Sequence, residues 1–142
     1  MNINQQKINK KNNIFIFYIK TTGHNTFISI FKDSSIIINN KIKFNNNKLL
    51  KIFSCGLFGF KNKKKETSLA CSILANKSSL FVLKQGGIYI HIIFKGISIF
   101  KKIIITTIIK TKYKNINLQI LSITDITQYP HNGCRVKKIK KR

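Results

Sequence analysis

Acidic residues are almost absent from this chain. Its 142 residues include only three acids, Asp33, Glu66 and Asp125, against 27 lysines and arginines, which gives a formal net charge of +24. Because self-repulsion at such a charge destabilises a compact monomer, we expect an anionic partner to contribute to the folded state. Three scattered acids are also too few to hold two metal ions, so two-metal phosphoryl-transfer chemistry is disfavoured.

Cysteine, proline, tryptophan and arginine are scarce as well. Cys55, Cys71 and Cys134 are odd in number and widely spaced, so they do not indicate a disulfide framework. A zinc site made by these cysteines and His131 is conceivable, but it lacks any C-x-x-C pair and is not favoured. Isoleucine, lysine, asparagine and phenylalanine abound instead. This bias toward AT-rich codons points to an organelle genome or a reduced endosymbiont.

Long uninterrupted apolar segments are missing too. The most apolar stretch, 88–109, is broken by His91, Lys95, Lys101 and Lys102, so no transmembrane helix is predicted. Residues 1–13 have no apolar core of the kind that a secretory signal requires. We therefore expect a protein that is made in the compartment where it works and has no membrane partner.

The apolar pattern predicts strands in the first third of the chain. β-Branched and aromatic runs at 14–19 and 26–31 flank a turn at Gly23, and a third strand is predicted at 36–38. Residues 39–48 resemble an insertion. Three strands joined by short turns predict an antiparallel meander.

Helical spacing begins at Ser68, with Thr67 or Ser68 as the N-cap and Gly86-Gly87 as the stop. Strands are predicted again at 88–94 and 118–123. Residues 101–113 are ambiguous, because their β-branched side chains favour a strand whereas a crossover between strands calls for a helix. The predicted fold class is therefore α/β, a mixed five-stranded sheet in the order β-β-β-α-β-α-β with two packed helices.

Three regions of different character follow from this pattern. Residues 1–13 are polar and low in complexity, and we expect a disordered basic arm. Residues 14–128 form a single α/β domain. Residues 129–142 form an extended tail, in which six of the last eight residues are basic. Such a tail indicates contact with a polyanion. Nucleic acid is favoured over a membrane surface, because the charge is spread along the chain and no basic amphipathic helix stands out.

Several segments resemble one known family. The C-terminal block contains T-D-I-T-x-x-P-H-N-G-C-R, and 59–67 read GFKNKKKET, close to the pattern G-F-R-G-S-R-K-S-T. Asn25-Thr26 and Lys95-Gly96 match further positions, whereas the family turn G-P-G-P-G-R is replaced by GISIFK at 96–101. Over roughly 14–142 the chain resembles ribosomal protein number eleven of the small subunit, a universal family. The family fold is similar to that of ribonuclease H-like enzymes, but its use is structural.

The resemblance implies a protein that binds small-subunit ribosomal RNA at the platform, near the exit path of messenger RNA and beside other platform proteins. It implies no catalytic residues, no metal and no cofactor. The loop 59–67 combines a glycine that permits close approach, lysines and a helix N-terminus, although a merely solvated lysine loop is the alternative. In the tail, Pro130 and Gly133 are expected to turn the chain, Gly133 through a left-handed conformation. The candidate RNA-binding residues are Gly59, Lys61, Lys63, Lys64, Lys65, Thr67, His131, Asn132, Gly133, Arg135, Lys137, Lys138, Lys140, Lys141 and Arg142.

Two further alternatives stay open from the residues alone. A non-ribosomal DNA-compacting protein fits the charge but not the C-terminal block. For the compartment, a mitochondrion is favoured by the codon bias and the insertion, with a plastid or the cytoplasm of a reduced endosymbiont as alternatives.

Overall fold

The computed structural model describes residues 14–32 and 47–135, together with the backbone of 36–38 and 41–43. The strands and helices along the chain are, in order, β1 (Ile14–Thr22), β2 (Asn25–Lys32), β3 (Ile36–Ile38), β4 (Lys41–Lys43), β5 (Lys48–Ser54), α1 (Ser68–Lys84), β6 (Tyr89–Lys95), α2 (Lys101–Lys110), β7 (Lys112–Tyr113), β8 (Ile116–Asn117) and β9 (Gln119–Asp125). No helix among the described residues is long and apolar enough to cross a membrane.

The central strand of the main sheet is β1. The spatial order is β5-β2-β1-β6-β9, in which β1–β2 and β2–β5 are antiparallel while β1–β6 and β6–β9 are parallel. Antiparallel neighbours need only a short turn, but parallel neighbours need a crossover, and α1 and α2 supply the two crossovers. The predicted mixed five-stranded sheet with two packed helices is confirmed.

Both helices pack on one face of the sheet and form a single core with it. Alternate residues of β1, β2 and β6 point into this core and are fully buried, as the period of a strand requires. The largest of the buried side chains are Phe15, Phe17, Phe94, Ile19, Ile28, Ile30, Leu74, Ile90, Ile92, Ile104, Ile108 and Val82.

Helix α1 begins and ends at the residues that the sequence indicates. Thr67 is its N-cap, because the Thr67 hydroxyl accepts a hydrogen bond from the Ala70 N–H at 3.3 Å. At the other end Gly86 has a φ of 76°, and the Gly87 N–H reaches back to the Val82 carbonyl at 3.0 Å. This is the left-handed stop that glycine permits.

Residues 101–110 are helical in spite of their β-branched side chains. Ile104 and Ile108, four residues apart, are fully buried, so one helical stripe faces the core. The Thr106 and Thr107 hydroxyls donate to carbonyls in the preceding turn, Thr107 to Ile103 at 2.7 Å. Tertiary burial and the required crossover therefore override the strand propensity of this segment.

The prediction for the third strand of the sheet is wrong. Residues 36–38 pair with 41–43 in a separate two-stranded ribbon, whereas the third strand of the sheet is β5, Lys48–Ser54. A register shift between Ile30 and Phe31 interrupts the β2–β5 pairing. The LLKIF run in β5 does not alternate cleanly because β5 is an edge strand with only Phe53 fully buried. The disordered arm predicted at 1–13 lies outside the described residues.

The face of the sheet opposite the helices, here called the open face, is not covered by any described element. It carries the alternate residues of β1, β2 and β6, which are half-buried or exposed. They include Ile16, Tyr18, Lys20 and Phe27. Among the described residues, the helices therefore cover one face of the sheet and leave the other uncovered.

Gly96 is the point of closest approach between β6 and the end of β1. A Cβ built there lies 2.0 Å from the Thr21 carbonyl oxygen, and the φ of Gly96 is 106°. Gly96→Ala should therefore lower the free energy of unfolding by about 2 kcal/mol or more, through strain and overpacking. Urea unfolding in high-salt buffer measures this change.

Gly23→Ala is the matched control for this prediction, because a Cβ at Gly23 meets nothing within 4 Å. Its effect should stay within about 0.5 kcal/mol. Equal stabilities for the two variants would contradict the close contact at Gly96.

Candidate nucleic-acid interface

Two short 3-10 turns connect β5 to α1, and the basic loop, 59–67, contains the second of them. The first turn, Cys55–Phe58, is capped by the Ser54 hydroxyl, which accepts from the Leu57 N–H at 3.3 Å, and it ends at Gly59 with a φ of 82°. The second turn, Asn62–Glu66, begins after Lys61 and runs directly into α1. Most side chains of the loop are exposed, whereas Phe60 and Lys65 are half-buried.

Thr67 ties the second turn to the helix. The Thr67 hydroxyl donates to the Lys64 carbonyl at 2.9 Å while it accepts from the Ala70 N–H at 3.3 Å. One side chain therefore closes the loop and caps α1. The free N–H groups and the positive dipole end of the helix stay directed toward the loop, where they favour an anion.

The lysines of the loop divide into two kinds. Lys61, Lys63 and Lys64 are exposed, whereas Lys65 is half-buried and its side chain lies over Gly56. Phe60 is half-buried and packs against the core, so the ring serves the fold rather than reaching outward. The exposed lysines are the side chains that an anionic ligand meets first.

A side-chain contact links the loop to the turn between β1 and β2. His24 Nδ1 and Glu66 Oε1 lie 2.7 Å apart. The contact joins one rim of the loop to the β1–β2 turn, and it engages the single carboxylate of residues 59–67. This pairing of His24 was not foreseen, because residues 42 positions apart give no local signal.

Beneath the loop, Cys55 and Cys71 are buried and both thiols are free. Cys71 Sγ lies 3.6 Å from the Thr26 hydroxyl. A hydrogen bond with Cys71, together with burial, raises the pKa of the Cys55 thiol, so Cys55 stays protonated and behaves as a packing residue. Cys134, in contrast, is exposed, and among the described residues no three His, Cys, Asp or Glu side chains converge as a metal site would require.

The root of the tail is fastened to the loop that follows β6. The Gly96 N–H donates to the Thr127 hydroxyl at 3.0 Å, and Lys101 Nζ donates to Asp125 Oδ2 at 2.6 Å. The ion pair with Lys101 and the hydrogen bonds from Thr127 lower the pKa of Asp125 to about 2. Glu66 and Asp125 are therefore each engaged by a different basic side chain, which leaves neither placed to hold a catalytic metal.

The described part of the tail runs to Arg135 and is exposed throughout from Gln128. The left-handed residue of its turn is Asn132, with a φ of 51°, so the prediction that Gly133 takes this conformation is wrong. Asparagine tolerates this region better than most residues with a side chain. His131, Asn132, Gly133 and Arg135 all lie at the surface. Five candidate residues lie outside the described residues: Lys137, Lys138, Lys140, Lys141 and Arg142.

Three adjoining clefts follow one end of the sheet from the loop to the root of the tail. The loop cleft, about 830 Å³, is lined by His24, Gly59, Lys61, Asn62, Lys63, Lys64, Lys65 and Glu66. The turn cleft, about 350 Å³, shares Lys65 and Glu66 with it and extends to Gly23 and Ile97. The strand-end cleft, about 570 Å³, shares Gly23 and Ile97 in turn and is lined further by Lys20, Thr21, Lys95, Gly96, Thr127 and Gln128. Loop and tail thus lie at the same end of the sheet, joined by these clefts.

Comparison with known proteins shows the family of this chain. The family model described as "Ribosomal protein S11" matches residues 11–142. The chain belongs to the ribosomal protein S11 family. It is 37% identical over 123 residues to "Small ribosomal subunit protein uS11" of Carsonella ruddii, across 87% of this chain and 90% of that one. Identity is 30% over 121 residues with the uS11c protein of Euglena longa, across 85% and 93% of the two chains. With the uS11m protein of Mus musculus it is 29% over 126 residues, across 89% and 57%.

The predicted family is therefore confirmed. Members of the ribosomal protein S11 family are structural proteins of the ribosome and not enzymes, as the sequence predicts. The match extends across both basic segments, the loop at 59–67 and the tail as far as Arg142.

The double role of the Thr67 hydroxyl generates a prediction about the loop. Thr67→Ala removes both the bond to the Lys64 carbonyl and the cap on the Ala70 N–H, and should lower the free energy of unfolding by about 1 kcal/mol. Thr67→Ser keeps the hydroxyl and should recover most of the loss. Urea unfolding of both variants in high-salt buffer provides the measurement, and an alanine variant as stable as the wild type would refute the assignment.

Proposed function

We propose that this chain is a structural constituent of the small ribosomal subunit that binds small-subunit rRNA through the basic loop and the tail. The observation that carries the proposal is the construction of the loop. Three exposed lysines stand at the N-terminus of α1, while the one carboxylate of the loop is held by His24. Lysines, an exposed backbone turn and a helix N-terminus supply the charge and the donors that phosphate contacts need.

The tail adds a second point of attachment in this proposal. Thr127 and Asp125 fix where the tail leaves the domain, and from Gln128 onward its described residues are exposed. Arg135 is one of only two arginines in the chain, and its planar guanidinium suits a bidentate contact with phosphate or guanine. Charge at two separated points fixes the orientation of the domain on RNA as well as its affinity.

The location within the subunit is also part of the proposal. The chain sits at the platform, beside other platform proteins and near the path by which messenger RNA leaves. Support comes from family membership and from the relatives named as small-subunit proteins. We further propose an organelle ribosome, and specifically a mitochondrion, with a plastid or a reduced endosymbiont as the alternatives. The codon bias and the relatives from Euglena longa and Mus musculus support an organelle, and mapping the gene to its genome decides among the three.

The loop generates a quantitative prediction. Replacing Lys61, Lys63 and Lys64 together by glutamine should flatten the slope of log affinity against log salt by roughly two units, because each phosphate contact contributes about 0.7 to 0.9. Filter binding of the full chain to small-subunit rRNA across a salt series measures the slope. The matched control replaces the exposed helix lysines Lys77, Lys84 and Lys110, with the same loss of charge. Equal effects of the two triple variants would mean that the loop has no special role.

The tail generates a second prediction. Deleting residues 131–142 removes six cations and should leave the sheet and helices folded, because the last strand ends at Asp125. If about four of these cations contact phosphates, the salt slope should flatten by roughly three units. Circular dichroism tests the fold and filter binding tests the slope. If the truncated chain binds rRNA with unchanged affinity and slope, the tail does not contribute to binding and the loop is the contact. If the truncation weakens binding to unrelated duplex DNA by the same factor, the protein is a nonspecific DNA-binding protein.

A further inference from the structure

Two lysines at the end of the central strands lie side by side. In the parallel register of β1 and β6, Lys20 is directly opposite Lys95. Their neighbours Ile19 and Phe94 are buried against the helices, so both lysines project from the open face. Adjacent strands are about 4.8 Å apart, and like charges placed opposite each other repel.

This lysine pair has no carboxylate partner among the described residues. Glu66 is paired with His24, and Asp125 is paired with Lys101. Asp33 lies outside the described residues. The register places the two lysines next to each other on one face of the sheet, where both positive charges attract an anion from outside the chain.

The pair also lies in the groove that joins the loop to the tail. Lys20 and Lys95 line the strand-end cleft of about 570 Å³ together with Gly96 and with Thr127 at the root of the tail. The cleft continues past Gly23 toward the basic loop. A linear anion, rather than a single ion, fits a groove with cations at the loop, in the middle and at the tail.

Aromatic rings stand next to the lysine pair on the same face. Phe27 is opposite Lys20 in the β1–β2 register, and Tyr18 lies one alternation further along β1. Both residues are half-buried, so part of each remains accessible to solvent. A sheet face that combines flat rings with adjacent cations is the arrangement that binds unpaired nucleotides, since rings stack on bases while lysines hold phosphates.

We propose that Lys20 and Lys95 form a phosphate-binding site for an unpaired segment of RNA, whose bases rest against Phe27 and Tyr18 on the open face. The site rests on the proposed function, because it supposes that the chain binds rRNA, and it adds a third contact between the loop and the tail. An acidic protein segment could neutralise the lysines and pack against the rings, but the cations continue from this cleft to the loop and the tail, which suits a long polyanion. RNA is therefore the occupant that the whole arrangement favours.

The test compares Lys20→Gln/Lys95→Gln with Lys77→Gln/Lys110→Gln, a control of equal charge on the helix side. The full chain is titrated with small-subunit rRNA across a salt series. The strand-end variant should flatten the salt slope by between about one and two units and weaken binding roughly tenfold more than the control. Because it relieves repulsion, it should also melt at the same temperature as the wild type or higher. Ultraviolet crosslinking of the wild-type complex should join bases to Tyr18 or Phe27.

Three results would overturn the site. The first is a strand-end variant that binds rRNA as tightly as the control variant does. If such a variant also incorporates poorly into subunits, the lysines contact an acidic neighbouring protein and not RNA. The second is a fall in melting temperature together with affinity, which would make the lysines structural. The third is crosslinking confined to the loop and tail. Running the loop variant of Lys61, Lys63 and Lys64 in parallel separates the hypotheses, because its loss of binding upholds the proposed function even when the strand-end site fails.

Discussion

The pairing of β1 with two neighbours of opposite direction is the constraint on which the rest of this molecule depends. On one side β1 meets β2 through a tight turn, and on the other it meets β6 in parallel. The parallel pairing obliges the chain to cross from β5 to β6 through α1. That crossover places the N-terminus of α1, and the loop that feeds it, at the same end of the sheet as the β1–β2 turn. The contact between His24 and Glu66 follows from this arrangement.

Much of this architecture could be predicted from residue patterns, and the exceptions have physical reasons. The buried alternation in β1, β2 and β6 and the capping residues of α1 are local signals, and they led to the correct elements. The strand β5 was missed because it is an edge strand without clean alternation, while the isoleucines at 36–38 are a stronger signal that pairs locally. Helix α2 could not be decided from propensity, since its helicity depends on burial of Ile104 and Ile108.

Some residues of the candidate interface can be predicted from the sequence, and others only from the fold. The lysines of the loop and the basic tail are contiguous in sequence and can be recognised there. In contrast, Lys20 and Lys95 are 75 residues apart, and only the register of two parallel strands makes them neighbours. His24 and Glu66 are likewise joined by tertiary structure alone. Residues that act as a run are visible in a sequence, whereas residues that act as a pair across strands are visible only in the fold.

Scarcity of acids also changes what each acid does. In most proteins a carboxylate is one of many surface charges, but here Glu66 and Asp125 each fix a boundary between the folded domain and a basic segment. Glu66 holds the loop to the β1–β2 turn, and Asp125 holds the root of the tail to α2 through Lys101. Surface ion pairs contribute little stability on their own. Their role here is to set the directions in which the cationic segments leave the core.

The backbone angle of Asn62 shows how a biased codon supply interacts with stereochemistry. The family pattern has glycine at this position of the loop, and this chain has asparagine there in the left-handed conformation, with a φ of 49°. Asparagine is encoded by AT-rich codons and is among the few residues with a side chain that enter this region at low cost. At Gly96 the same exchange is blocked, because the Thr21 carbonyl occupies the place of a side chain. A left-handed position with open space can therefore carry asparagine, whereas Gly87 and Gly96 have no room for a side chain, because a β-carbon there would lie within 2.5 Å of a neighbouring atom.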